Sequence, residues 1–463
     1  MMATSIYSRF EMIDYSTMIE AHSEEQDMQE SQPNNIRKVA LTSLAGTSIE
    51  WYDFFLYGTA AAIIFPKAFF PADMPYMIAL IASFSTFAVG FLARPLGGIV
   101  FGHFGDRVGR KQTLVIALMI MGASTTLIGL LPTYETIGYL APLVLVFLRF
   151  VQGLAIGGQW GGAMLLVTES APADKRGWYG AYAQAGAPIG VILANLAFLG
   201  VSGSMSEAAF MDWGWRLPFL ASILLIGVSL YVQLNLEDTD AFKKLAASKV
   251  NDSASDKMVK RSPIIEVFSR HPGRIFLAAG AFLSIQVTFY ILIAFIMAYG
   301  VNSPTVMLSR DTMLMAVLIA ALIMIPGQFW AAGLSDRIGR KKVYLWGAIL
   351  SGLWAFALFP LVDTGNVFVV IGAISLGLVF VGMQYGPQAA FFTELFSTEV
   401  RYSGASLGYQ IGAILGGALA PTIAVMLWKN YGIFYVSVYM ALAAIATIVC
   451  VSLLTETSGN ELD

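Results

Sequence analysis

The amino-acid sequence predicts an all-α polytopic membrane protein of 12 transmembrane helices, arranged as two pseudo-symmetric six-helix bundles. Three observations lead to this fold class: an apolar composition, twelve apolar segments of spanning length, and motifs that repeat between the two halves. Hydrophobic residues make up 57% of the 463 residues and charged residues only 12%. Because an ordinary soluble chain is about 25% charged, this chain is predicted to lie in a membrane.

Twelve segments have the length of a spanning helix, which needs about 20 mostly apolar residues. Prolines or charged residues separate neighbouring segments. The segments are 39–66, 76–101, 112–131, 139–167, 178–202, 214–235, 275–300, 312–334, 343–361, 366–392, 403–427 and 433–455.

The longest polar interruption, 236–274, separates two sets of six segments. The residues before the first segment are acidic and poor in apolar side chains, which is typical of a disordered tail rather than of a signal peptide. The predicted domains are a disordered cytoplasmic tail (1–36), an N-terminal six-helix bundle (37–235), a cytoplasmic linker (236–274), a C-terminal six-helix bundle (275–455) and a cytoplasmic tail (456–463).

Basic residues predict the orientation of the segments. Most of the 27 lysines and arginines lie in the two tails and in the even-numbered connections. Basic connections stay in the cytoplasm, so both termini are predicted to be cytoplasmic. Arg94 and Arg149 are different because they lie within segments. Arg94 is near the end of segment two, beside Pro95, and we expect it to anchor that end.

Two motifs occur at matching places in the halves. GDRVGRKQ (105–112) follows segment two and SDRIGRKK (335–342) follows segment eight, while a Glu precedes an Arg by seven positions after segments four and ten. A duplicated six-helix unit with a binding site between the halves is a transporter plan.

No sequence pattern of an enzyme competes with this plan. The chain has no phosphate-binding loop and no nucleophile motif, and its single cysteine and three scattered histidines predict no metal site. We therefore expect a transporter and not an enzyme, without a cofactor and without a nucleic-acid partner.

These motifs resemble a known family. The loop at 102–111 is similar to the signature between helices two and three of the major facilitator superfamily, and RFVQGLAIGG (149–158) to its helix-four motif. Four stretches resemble the metabolite:proton symporter family, and within it the shikimate transporters: IEWYDF (49–54), FLARPLGGIVFGHFGDRVGRK (91–111), GGQWGGAMLLVTESAP (157–172) and WGWRLPF (213–219). The resemblance covers about 36–455 and implies a multi-pass protein of the bacterial cytoplasmic (inner) membrane.

The charged repeat predicts a conformational latch at the cytoplasmic side. Carboxylates, guanidiniums and helix ends there can pair in one state and separate in the other, as alternating access requires. The simpler alternative is that these basic residues only hold the connections inside. The candidates are Asp106, Arg107, Arg110, Lys111, Glu169, Arg176, Asp336, Arg337, Arg340, Glu394 and Arg401.

Segment four combines close packing with polar side chains. Gly153, Gly157 and Gly161 recur every four residues, which predicts a close approach of another helix. Arg149 lies too deep to reach the membrane surface. It can bind the carboxylate of an organic anion, or pair with a carboxylate of another helix, at different stages of one cycle.

Several further side chains are candidates for binding a substrate. Hydroxyls and amides suit a hydroxylated or ring-bearing substrate, and an indole can stack on a ring, but each of these side chains can equally join two helices. The candidates, in addition to Arg149, are Tyr52, Tyr57, Gln152, Gln159, Trp160, Gln184, Gln286, Tyr290, Gln384, Tyr385 and Gln388.

Proton coupling is assigned to segment one. Glu50, Asp53 and Tyr57 lie at i, i+3 and i+7 and share one helix face, which we expect to point into a central cavity. Family members commonly carry a glutamate where this chain has Gln159, and glutamine cannot titrate. The candidates are therefore Asp53 for the proton, Glu50 for pairing with an arginine, and Arg149. A chain without coupling is the open alternative.

The predicted function is proton-coupled uptake of a small organic acid, such as shikimate or another hydroxylated or aromatic carboxylate. The partners are this organic anion, protons and the lipid bilayer, and the protein is expected to be monomeric. Alternatives are an osmolyte or a di- or tricarboxylate as substrate, drug efflux by antiport, and a sensor that transports nothing. Osmosensing relatives carry a C-terminal coiled coil, and antiporters a G-P-x-x-G pattern in helix five; neither pattern occurs here.

Overall fold

A computed structural model of the chain describes residues 36–108, 110–157, 160–235, 272–396 and 401–459, and the regular structure in these ranges is helical. We number the long helices α1 to α12. Those of the first half are α1 (36–63), α2 (Tyr76–Val108), α3 (Arg110–Leu130), α4 (Leu140–Gly157, followed by Trp160–Ser170), α5 (Arg176–Ser202) and α6 (Arg216–Asn235). Those of the second half are α7 (Pro272–Asn302), α8 (Arg310–Ile338), α9 (Arg340–Val362), α10 (Val367–Glu394), α11 (Arg401–Tyr431) and α12 (Phe434–Leu453).

The length and composition of these helices suit a membrane. Within the described residues, nine helices are long and apolar enough to cross one, and Val115–Leu130 is a shorter apolar helix. Large apolar side chains such as Phe147, Trp346 and Leu353 are exposed on the outside. Because a helix satisfies its own backbone hydrogen bonds, it can expose such side chains to lipid. The chain is a multi-pass membrane protein of twelve helices, as the sequence predicts.

Helices α7 and α11 each contain a wide π-helical turn. The turns are Ile291–Phe295 and Ala413–Ala418. Such turns are rare and occur frequently at functional sites. Here each lies one turn or less beyond a central tyrosine, Tyr290 or Tyr409.

Glycines bring α2 and α4 into close contact. A Cβ atom on Gly153 would overlap the carbonyl oxygen of Gly90, and one on Gly157 would overlap that of Arg94. The predicted close approach of segment four is confirmed at these two positions. The contact places Arg94 of α2 and Arg149 of α4 in the same layer of the N-terminal bundle.

The two bundles meet mainly along α5, which packs against α8 and α10, and along α2, which packs against α11. Three predictions concern residues outside the described ranges. They are the disordered tail at 1–35, most of the linker (236–271), and the residues between the two helical parts of segment four (158–159).

Candidate functional site

Buried ion pairs join the two bundles at one end of the molecule. Arg176 of α5 donates to Glu394 of α10 at 3.1 Å, and Arg340 of α9 lies 3.4 Å from the same carboxylate. Arg340 also pairs with Asp336 of α8. We call this end the latch face, and Arg176, Asp336, Arg340 and Glu394 the latch network.

Asp336 also caps the start of α5. Its two carboxylate oxygens accept the backbone N–H groups of Gly177 at 2.8 Å and Trp178 at 2.9 Å. The first N–H groups of a helix have no partner in their own helix and carry the positive end of its dipole. A carboxylate of the C-terminal bundle therefore holds a helix end of the N-terminal bundle.

The segment after α12 completes the network. Glu456 accepts the backbone N–H groups of Arg340 at 2.8 Å and Lys341 at 3.1 Å, which lie at the start of α9. The Thr457 hydroxyl donates to Glu394 at 2.7 Å. Glu456 and Thr457 are not among the residues predicted from the sequence; the signal for them is an acidic residue and a hydroxyl directly after the last apolar segment.

The other predicted latch residues are not brought into this network by any described contact. Arg337 and Glu169 are exposed. The side chains of Asp106, Arg107, Arg110, Lys111 and Arg401 lie outside the part of the chain whose side chains are described, so the first-half latch stays a prediction.

The bundles also touch at the opposite end, which we call the far face. Ser202 of α5 donates to Asp311 of α8 at 3.0 Å, and Arg310 lies 2.9 Å from Glu207. Between the two faces, two small cavities lie at the interface of the bundles, each with room for about one water molecule. The structure is therefore closed at both ends.

Aromatic and amide side chains of both bundles line these cavities. One cavity is lined by Trp51, Ala187, Ile285, Gln286, Phe289, Tyr290, Tyr385 and Tyr409, and the other by Phe55, Gly58, Thr59, Phe87, Val191, Tyr290, Ile293 and Ala294. The predicted residues Gln286, Tyr290 and Tyr385 thus lie where a substrate between the bundles would make contact.

Arg149 is fully buried without an ion-pair partner among the described residues. Its Nη1 donates to Gln152 at 2.6 Å, and Gln152 in turn donates to Thr125 of α3 at 2.9 Å. Its guanidinium carbon lies 4.4 Å from the ring centre of Phe54 and 4.2 Å from that of Tyr57. Its Nε and Nη2 atoms find no hydrogen-bond acceptor there. Cation–π contacts stabilise this cation only partly.

Asp53 is buried on the other side of this cluster. Its carboxylate faces Thr125 and Ser222, and within the described ranges neither oxygen has a hydrogen-bond partner. The Thr125 hydroxyl already donates to Met121 at 2.9 Å. We expected Asp53 to face the central cavity, but positions i and i+3 differ by about 60° around a helix, and this rotation turns Asp53 towards α3 and α6.

Glu50 and Arg94 form a second group of buried charges. Arg94 acts electrostatically on Glu50, and the hydroxyl of Tyr409 of α11 is within hydrogen-bonding reach of Arg94. We expected Arg94 to anchor the end of a segment. The apolar span itself ends at Phe101, as predicted, but the Arg94 side chain is only 2% exposed and lies inside the protein, against the rings of Phe54 and Phe91.

The remaining predicted residues divide into two groups. Tyr52, Tyr57 and Gln384 bond within their own bundle, to Pro218, Thr86 and Ser351 respectively. Gln184 and Gln388 bond to each other across the bundles at 2.8 Å. Gln159 and the side chain of Trp160 lie outside the described part of the chain.

The chain matches known transporters over nearly its whole length. The model of the family described as sugar (and other) transporter matches residues 38–463. The inner membrane metabolite transport protein YhjE of Escherichia coli is 44% identical over 94% of this chain and 98% of its own length. The shikimate transporter of the same organism is 41% identical over 84% of this chain and 87% of its own length.

Two more distant matches complete the comparison. A glycine betaine/proline/ectoine/pipecolic acid transporter of Dickeya dadantii is 33% identical over 87% of this chain and 80% of its own length. Among solved structures, a partially occluded inward open conformation of the E. coli xylose transporter XylE has a TM-score of 0.69 at 18% identity. The match covers 93% of this chain and 100% of the XylE chain, and it supports the fold alone.

Proposed function

The chain belongs to the sugar (and other) transporter family, whose members are transporters rather than enzymes, and we propose that it couples the uptake of a small organic acid to protons. The substrate class is a hydroxylated or aromatic carboxylate such as shikimate. The observation that carries this proposal is a pair of buried charged side chains in the N-terminal bundle: among the described residues, Nε and Nη2 of Arg149 and both oxygens of Asp53 have no hydrogen-bond partner.

A buried cation without a partner favours an anionic substrate. Removing a charge from water is costly unless a partner compensates for it. A carboxylate can approach a guanidinium through two parallel hydrogen bonds, and the positive charge of Arg149 attracts such a group into the closed centre. The aromatic rings and amides around the cavities suit a ring that carries hydroxyl groups.

The proton step is assigned to Asp53. A carboxylate removed from water holds its proton more tightly, and a nearby guanidinium weakens that hold. The carboxylate of Asp53 faces the Thr125 hydroxyl, which accepts from Gln152, and Gln152 in turn accepts from Arg149. A shift of these side chains therefore changes the distance, and with it the electrostatic interaction, between Asp53 and Arg149. In our proposal Asp53 loads a proton when the far face is open and releases it, to pair with Arg149, when the latch face opens.

The proposal also includes the orientation of the protein in the membrane and its oligomeric state. The latch face, which carries most of the described basic side chains outside the segments, is assigned to the cytoplasm, with both termini on that side of a bacterial inner membrane. The protein acts as a monomer, since the charged groups of this mechanism come from one chain.

The test is uptake of labelled shikimate into reconstituted vesicles, with and without an imposed pH gradient. A gradient, acidic outside, is expected to raise accumulation at least tenfold, and a proton-conducting ionophore to remove the gain. Competition by a panel of unlabelled organic acids measures the substrate range. Equal accumulation of shikimate with and without the pH gradient would refute proton coupling.

A second candidate function is transport of a zwitterionic osmolyte such as betaine. The 33% identical relative named for betaine and proline supports it, and the rings of Trp51, Phe289 and Tyr290 could hold a quaternary ammonium group. In the same competition experiment, displacement of shikimate by betaine but not by other carboxylic acids would favour this candidate.

A further inference from the structure

Arg94 carries a second buried guanidinium, which has no role in the proposed proton coupling. It is 2% exposed, and its Nε and Nη2 atoms have no hydrogen-bond partner among the described residues. Two N–H groups on one edge of a guanidinium match the two oxygens of a carboxylate. An unsatisfied buried donor costs about 1–3 kcal/mol, so these donors point to a group that arrives from outside.

Aromatic rings cover the faces of the Arg94 guanidinium. Its central carbon lies 4.4 Å from the ring centre of Phe54, 4.5 Å from that of Phe91 and 5.6 Å from that of Trp51. Rings that stack on a guanidinium attract the cation but accept none of its in-plane N–H groups in the way that an oxygen does. The edge of the guanidinium is therefore left for another ligand.

Arg94 stands beside the cavity between the bundles. Its neighbours Trp51 and Tyr409 both line that cavity, together with Gln286 and Tyr385. The Nε2 group of Gln286 also has no acceptor among the described residues. A cation of the N-terminal bundle thus lies behind the wall of a cavity that neutral hydroxyl and amide groups of the C-terminal bundle line.

The two buried arginines share one ring but face different groups. Arg94 and Arg149 each lie 4.4 Å from the ring centre of Phe54. Arg149 continues through Gln152 into the N-terminal bundle, whereas Arg94 reaches Tyr409 of the C-terminal bundle. Arg149 is thus placed for proton coupling, and Arg94 for binding the substrate.

We propose that Arg94, and not Arg149, makes the direct contact with the carboxylate of the transported acid. The proposal rests on the proposed function, because it assigns the anion site of that same substrate. Glu50 is the negative charge near Arg94 in the closed structure, and the substrate's carboxylate takes over its role. With its acid group on Arg94 and its ring hydroxyls on Tyr409 and Gln286, the substrate links the two bundles.

The experiment measures binding in detergent, without a gradient, by isothermal titration calorimetry of the purified full chain. The ligands are shikimate, quinate, benzoate and 4-hydroxybenzoate, each compared with its neutral methyl ester. Five proteins are compared: wild type, Arg94→Gln, Arg94→Lys, Arg149→Gln and Glu50→Gln. The ester serves as a control for folding, since a variant that binds it retains the cavity.

The ratio of acid affinity to ester affinity is the decisive readout. We expect the wild type to prefer the acid at least tenfold, Arg94→Gln to lose this preference while still binding the ester, and Arg94→Lys to keep part of it. Arg149→Gln, which removes a charge of the coupling site, is expected to retain more of the preference than Arg94→Gln. Glu50→Gln is expected to strengthen acid binding several-fold, because Arg94 then has no competing charge.

Three kinds of result overturn the proposal, and they are distinguishable. Arg94→Gln with an unchanged preference for the acid, or the loss of that preference in Arg149→Gln alone, refutes the role of Arg94 and leaves the proposed function standing. A wild type that binds none of the four acids refutes the proposed substrate class itself, and the role of Arg94 with it. If Arg94→Gln binds neither acid nor ester, the contribution of Arg94 is structural and the proposal fails.

Discussion

The latch face and the centre of the molecule both bury charged side chains, but among the described residues of these two regions only those of the latch face form ion pairs within 4 Å. Glu394 contacts two arginines and a threonine hydroxyl. In the centre, both oxygens of Asp53 and two nitrogens of each of Arg94 and Arg149 have no hydrogen-bond partner among the described residues. Burial alone therefore does not distinguish a structural charge from a functional one; the partner does.

The difference between the latch face and the centre has a physical explanation. A network in which each charged side chain has an ion-pair partner holds one arrangement of the two bundles, and it can separate only when another state offers equivalent partners or water. Unpaired charges cost free energy in the closed state, which is compensated when a substrate or proton arrives. The latch network thus determines which conformation of the two bundles is populated. The buried charges of the centre determine which substrate is bound and carry the proton.

The largest effect is expected from Glu394→Gln. Breaking a buried ion pair costs about 3–5 kcal/mol, which weakens the closed latch. The readout is labelling by a water-soluble thiol reagent of Ala389→Cys, a buried position against Gly180 of the other bundle, in a Cys450→Ser background. We expect labelling at least tenfold faster than with an intact latch.

Arg337→Gln is the matched control, because Arg337 is exposed on the same face. It is expected to leave the labelling rate unchanged. Equal labelling rates with and without Glu394 would show that the network does not hold the bundles together.

A smaller effect of opposite sign is expected in the centre. Asp53→Leu removes an unpartnered buried carboxylate, so we expect the free energy of unfolding to rise by about 1–3 kcal/mol. Glu394→Leu is the comparison, and we expect it to lower the free energy of unfolding. Thermal unfolding in detergent measures both, and a loss of stability in Asp53→Leu would mean that Asp53 has a stabilising partner.

The smallest effect concerns the segment after α12. Thr457→Val keeps the shape of the side chain and removes one hydrogen bond to Glu394, at a cost of about 1 kcal/mol. Thr455→Val is the control because Thr455 is exposed. The rate of Ala389→Cys labelling should rise about fivefold for the first variant alone; an equal response of both variants would assign the effect to the segment and not to the hydroxyl.

Much of the fold and part of the site could be predicted from the sequence. Helix lengths follow from apolar composition, and the repeated motif placed Asp336 and Arg340 near Glu394 because α8, α9 and α10 end on the same side. Tyr409 reaches Arg94 across the bundles, and Glu456 holds the start of α9 within the C-terminal bundle. Both contacts depend on tertiary packing, which no local pattern records. The burial of the Arg94 side chain between aromatic rings likewise follows from tertiary packing and not from its position in the apolar segment.

The most direct test of the account is to record substrate and proton movement together in vesicles that contain a trapped pH-sensitive dye. Adding shikimate outside wild-type vesicles should acidify their interior, beyond any change in protein-free vesicles. Asp53→Asn should abolish this acidification while still exchanging labelled for unlabelled shikimate, and Glu394→Gln should retain a proton signal. Acidification that persists in Asp53→Asn would contradict the assignment of the proton to the unpartnered charges of the centre.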